Sequence, residues 1–135
     1  MVSDKIRLGV IGANVSKGWA HRSHLPALIA SPEFELTAVC TTHKETAEES
    51  KERFGARLAF HDHRTMLASG EIDAVAVVVR VPQHYQLTKD VLEAGKHVYT
   101  EWPLGATLAE AQELANLAKA KGVQTMVGLQ ARAAP

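Results

Sequence analysis

The residues able to do chemistry gather at turns that follow apolar runs. Gly12, Asn14, Ser16, Lys17, Gly18 and Trp19 stand directly after Ile6-Arg7-Leu8-Gly9-Val10-Ile11. A glycine-rich turn between a buried strand and a helix points unpaired backbone N–H groups and a positive dipole end at an anion, and a pyrophosphate suits such a site. The dinucleotide fingerprint G-x-G-x-x-G is met in part: Gly12 fills its first position, Asn14 its second and Lys17 its third. Asn14 tolerates left-handed backbone and can donate a hydrogen bond. Lys17 can pair with a phosphate, while Gly18, one residue late, can relieve helix–strand packing. The alternative is a tight turn without a ligand.

Four further positions of this kind follow apolar runs. Thr41, Thr42, His43 and Lys44 come after Phe34–Cys40 and include no acid, although an acidic residue at that place usually holds the ribose hydroxyls of NAD. Hydroxyls, an imidazole and an ammonium suit a 2′-phosphate instead, so NADP is expected in preference to NAD. Thr42 also begins a Thr-x-x-Glu capping box with Glu45. Arg80, Val81, Pro82 and His84 follow the run Ala74–Val79, and His84 serves either the cofactor or the start of a helix. Glu101 ends another run, where it either orients the nicotinamide ribose or accepts backbone donors; Gln130 ends the last. His61-Asp62-His63 has metal-ligand types without an evident third and fourth partner, so a solvated loop is expected and no metal. His21 and His24 read as surface or packing residues.

The elements that position these residues alternate. Strands are expected at Ile6–Ile11, Phe34–Cys40, Leu58–Phe60, Ile72–Val79, His97–Thr100 and Gln124–Leu129. Between them come a helix over Trp19–Ala30 interrupted at Pro26, one from Thr42 to Gly55, a short one at Arg64–Ser69, one ending at Gly95, and one capped by Thr107 and Glu110 and closed by Gly122. In the last, Leu108, Ala111, Leu114, Ala115, Leu117 and Ala118 recur at helical spacing. Six strands alternating with helices predict a doubly wound parallel sheet in the order 3-2-1-4-5-6, with ligands beyond the strands' carboxyl ends.

A chain of 135 residues, 46% of them apolar, fits one domain with a real core. Fifteen basic and fifteen acidic residues cancel without forming blocks, which argues against a nucleic-acid or membrane surface. No secretory signal or membrane-length apolar stretch is evident, and Cys40, the sole cysteine, fits a reducing compartment, so the cytoplasm is expected.

Ala94-Gly95-Lys96-His97-Val98-Tyr99-Thr100-Glu101-Trp102-Pro103-Leu104 resembles the A-G-K-H-V-x-x-E-K-P-L segment of the glucose-fructose oxidoreductase and inositol dehydrogenase (Gfo/Idh/MocA) family. Val81-Pro82-Gln83-His84 is similar to that family's loop after strand four. The resemblance implies that residues 1–135 are a Rossmann-type domain binding NAD or NADP, and that the family's second, substrate-binding domain is absent from this chain. Trp102 stands where the family has a lysine near the nicotinamide and substrate, so no catalytic residue is carried over; its indole can stack on a ring. The turn at Gly12–Ala20, Glu101-Trp102, and Gly122–Thr125 with Leu129-Gln130, Arg132 and Pro135 are similar to a regulatory branch of the family that binds the dinucleotide and a protein partner. A lone domain is further expected to self-associate or to dock on the missing domain.

Overall fold

The computed structural model describes residues 4–133. Pro135 therefore lies outside the described residues. Six parallel strands, β1 (Ile6–Ile11), β2 (Phe34–Cys40), β3 (Leu58–Phe60), β4 (Ala74–Val77), β5 (His97–Glu101) and β6 (Thr125–Gly128), form one sheet in the order β3-β2-β1-β4-β5-β6. The order and the placing of β4 beside β1 are those expected from the alternation of elements.

Right-handed crossovers distribute the helices over two faces. On one face α1 (Leu25–Ala30) and α2 (Lys44–Phe54) pack over β1, β2 and β3, burying Leu25, Leu8, Val10, Leu36 and Val39. On the other, α3 (His63–Ala68), α4 (His84–Glu93) and α5 (Leu108–Lys121) bury Met66, Leu67, Val91, Leu92 and Leu114 against Ile11, Val75, Val77 and Val98. In β4, Val75 and Val77 are covered by the helices of this second face, while Ala74 and Ala76 belong to the first. Where β1 enters the sheet, the Arg7 guanidinium bonds Asp73 before β4, 2.6 Å to Oδ1, and holds that carboxyl below the usual carboxylate range.

Local signals explain most helix ends. Gly55 and Gly122 close α2 and α5 in left-handed conformation, and Thr107 Oγ1 accepts from Glu110 N at 3.2 Å. The reciprocal arm of that box is displaced by one residue: Glu110 Oε2 accepts from Ala106 N. Thr42 is not the cap of α2. His43 occupies that position without a side-chain bond, while Thr41 Oγ1 donates to the His43 carbonyl and pairs with Thr46 Oγ1. Pro26 falls in the first turn of α1, where its missing N–H costs nothing, and the five residues before it, Ala20–His24, form a π-turn.

Burial narrows two readings made from periodicity. Ile6 is largely exposed, and only Leu114 and Ala118 of the α5 stripe are fully buried; Leu108 is 75% exposed and Ala115 is exposed as well. The stripe is narrower because α5 lies at the edge of the sheet and meets α4 along one side. Leu92→Ala should accordingly cost about 2–5 kcal/mol in urea unfolding and Leu108→Ala less than about 0.5 kcal/mol.

Candidate functional site

The carboxyl ends of β1, β2, β3 and β4 enclose a groove of about 370 Å3. Its floor is apolar, with Ile11, Val79 and Leu87, and its rim carries Gly12, Asn14, Thr41, Thr42, His61 and Gln83. Among the described residues lining it none is acidic. Cys40 also lines it, but burial first, and then the charge of Asp62, push its thiol up to about 12, so it is an inert wall.

The turn after β1 departs from the expected geometry. It does not open directly into an α-helix: residues 12–19 run as an irregular loop into the π-turn, and α1 begins only at Leu25. A helix dipole therefore contributes little, and an anion must be held by loop and side-chain donors. Asn14 is not left-handed; positive φ falls on Gly12 (89°) and Gly18 (82°). The Asn14 Oδ1 instead accepts from the N–H groups of Ser16 (3.0 Å) and Lys17 (3.1 Å) and from Ser16 Oγ, so this side chain shapes the loop. Gly18 has open space around it, so its role is conformational and it relieves no packing. Lys17 and Trp19 are exposed.

At the end of β2, Thr42, His43 and Lys44 are exposed beside the groove, whereas the Thr41 hydroxyl is spent on the loop itself. At the end of β4, Val81–Gln83 form a 3-10 turn rather than an open loop; Arg80 and Pro82 are exposed and Val81 half-buried. His84 is buried behind this turn with Nδ1 2.6 Å from the Pro103 carbonyl and Nε2 2.9 Å from the Val79 carbonyl. His84 is the first residue of α4; both ring nitrogens face backbone carbonyls, and the residue ties the ends of β4 and β5 together.

Glu101 accepts from side chains and not from backbone donors. Its carboxylate accepts from the Tyr99 hydroxyl (3.0 Å) and from Gln130 Nε2 (2.6 Å), and it pairs with His24 Nε2. Burial, then the bond to Glu101, push the Tyr99 phenol up to about 12, which keeps it a donor. Gln130 is thus committed to Glu101, and His24 is a partner of the strand end rather than a surface residue. Trp102, next in chain, is 65% exposed. Asp62 caps α3 and His63 bonds Asp90 at 2.7 Å; among the described residues no group of three or more His, Cys, Asp or Glu is placed to hold a metal ion. His61, Val79, Gln83 and Leu87 were missed as groove residues. The position of His61, directly after β3, was the available signal.

A groove at the point where strand order reverses, with glycine at the crossing and no acid among its described lining residues, is a dinucleotide arrangement. Residues 6–129 match the family model described as "Oxidoreductase family, NAD-binding Rossmann fold". The chain belongs to this Gfo/Idh/MocA family. It is 32% identical, over 96% of its length, to 32% of the galactose/lactose metabolism regulatory protein GAL80 of Saccharomyces cerevisiae. It is 34% identical, over 99% of its length, to 38% of the dehydrogenase aclE of Aspergillus oryzae. Among solved structures it resembles KijD10, a 3-ketoreductase from Actinomadura kijaniata in complex with NADP, with a TM-score of 0.86 at 34% identity, covering 92% of this chain and 38% of that one. The chain thus spans about one third of the length of these relatives, which include both enzymes and a regulatory protein. No described helix is long and apolar enough to cross a membrane.

The crossing itself is tightly constrained. A Cβ on Gly12 would lie 2.0 Å from the Val78 carbonyl oxygen, in addition to the positive φ, whereas one on Gly18 would meet nothing. Gly12→Ala should destabilise by at least about 2 kcal/mol and Gly18→Ala by about 1 kcal/mol, measured by urea unfolding.

Proposed function

We propose that this Rossmann domain of the oxidoreductase family binds NADP in preference to NAD across the groove at the carboxyl edge of its sheet. The observation that carries the preference is the absence of any acid among the groove-lining residues, with Thr42, His43 and Lys44 exposed at the end of β2. A carboxylate there would repel a 2′-phosphate; an ammonium and an imidazole attract it. In this reading the adenosine lies between the ends of β2 and β4, over Ile11, Val79 and Leu87. The pyrophosphate passes the Gly12–Gly18 loop within reach of Lys17 and Arg80. The nicotinamide falls toward Glu101 and Trp102 at the end of β5.

When bound, the cofactor supplies a hydride, and in an enzyme of this family the partner would be a hydroxyl or carbonyl carbon of a sugar-like substrate held by a second domain. The residues of this chain position the cofactor; none of them is assigned proton transfer. A second reading rests on Trp102, an exposed indole where the family segment has lysine: the domain senses the dinucleotide and passes the signal to a protein partner. The similarity to GAL80 supports it. The bare sheet face beside β6 supports docking of a further domain or a second copy, and the single buried cysteine supports a reducing compartment such as the cytoplasm.

In this reading Trp19 and Trp102, the two tryptophans of the chain, both lie near the bound cofactor. Titration with NADPH should quench their fluorescence at about tenfold lower concentration than NADH, the scale of one charge-assisted contact. Lys44→Ala should narrow that gap. Equal titrations by the two reduced cofactors would remove the NADP preference.

A further inference from the structure

The far end of the groove differs in charge from its near end. Beyond β1, β5 closes with Glu101, whose two oxygens are held by Tyr99, Gln130 and His24, and with Trp102, which has no comparable restraint and is 65% exposed. Three donors fix the carboxylate in place. The adjacent side chain adds no compensating cation, because it is an indole.

The two redox forms of a nicotinamide differ at this end alone. The oxidised ring is planar and carries a positive charge; the reduced ring is neutral and puckers more readily. Adenosine, both riboses and the phosphates are common to the two forms, so the contributions of Lys17, Arg80 and Lys44 to those parts cancel in the ratio of affinities. What does not cancel is a charge or a π-face beside the ring. A carboxylate attracts the cationic ring, and an indole face attracts a cation more than a neutral ring.

We propose that the Glu101–Trp102 end makes this domain selective for the oxidised cofactor, so that it reads the ratio of oxidised to reduced NADP rather than the size of the pool. This rests on the dinucleotide reading above. At an effective dielectric of ~20–40, a unit charge ~10 Å from the ring changes affinity about four- to fifteenfold before salt screening, and the indole adds about twofold. A lysine at residue 102 would supply the opposite charge and cancel the effect. Arg132, on the turn after β6, is exposed and screened by solvent.

The test is isothermal titration calorimetry of the 135-residue chain at pH 8. NADP+, NADPH and 2′-phospho-ADP-ribose, which lacks the nicotinamide, are compared. The wild type should bind NADP+ about fivefold or more tightly than NADPH. Trp102→Lys should bring the two affinities within about twofold and Glu101→Gln should reduce the gap, while both variants still bind 2′-phospho-ADP-ribose. That last measurement also reports that each variant is folded. Equal or tighter binding of NADPH by the wild type, with 2′-phospho-ADP-ribose bound, overturns the redox selectivity and leaves the dinucleotide reading standing. No binding of any of the three ligands overturns both. A gap unchanged in Trp102→Lys and Glu101→Gln overturns the assignment to these residues.

Discussion

The arrangement depends on one close approach at the middle of the sheet. Val78 N donates to the Ile11 carbonyl at 3.0 Å, drawing the end of β4 against the end of β1, and there the backbone at residue 12 lies against the Val78 carbonyl with no space for a Cβ. Glycine is the residue that fits, and its φ of 89° turns the chain out of the sheet toward one face. The chain leaving β4 turns toward the other, through the 3-10 turn at Val81 and into α4. Two chains that part from one point leave a crevice between them. The groove is thus a consequence of the topology, and the side chains around it decide only what it accepts.

Much of the fold was legible because each local signal agreed with the sheet. The run Ala74–Val79 has the composition of a buried parallel strand, and its neighbours alternate with helices whose ends carry Gly55 and Gly122. What failed did so where two local solutions compete. Thr42 and His43 both precede the first turn of α2, and the hydroxyl pair Thr41–Thr46 settles the position in favour of His43. The stretch from Ala13 to Trp19 has neither helix period nor strand alternation, and the Asn14 side chain closes it into a loop that no fingerprint describes. Leu108 and Ala115 follow the helical period of α5 and stay exposed, since period marks a face and only the neighbours determine how much of it is covered.

The site was legible by position and not by contact. Strand ends place Gly12, Thr42, Lys44, Arg80 and Glu101 on one edge of the sheet, and that follows from the element order alone. His84 and Gln130 share the edge but spend their polar atoms on other protein groups. His24 was read as a surface or packing residue without a named partner, because Glu101 is remote in sequence and joined to it only once the sheet has formed. Long-range pairs of this kind leave no trace in spacing.

One glycine shows how far that network extends. A Cβ on Gly128 would lie 2.2 Å from the Tyr99 hydroxyl and 3.1 Å from Glu101 Oε2, so β6 approaches β5 closely because residue 128 lacks a side chain. Tyr99 in turn belongs to two surfaces. Its hydroxyl holds Glu101 at the end of the groove, and its ring floors the half of the sheet over β4, β5 and β6 that α1 and α2 leave bare. That bare half is a depression of about 710 Å3, shallow-walled and floored by Ala74 and Ala76, with Met126 65% exposed at its margin. His24 lines it as well and makes an edge contact with the Tyr99 ring, 5.3 Å between centroids. Anything packed against the two alanines therefore rests on the same imidazole and phenol that orient the Glu101 carboxylate. The corner where the groove meets the open face is one hydrogen-bonded unit, and a load on either side acts on the same three side chains.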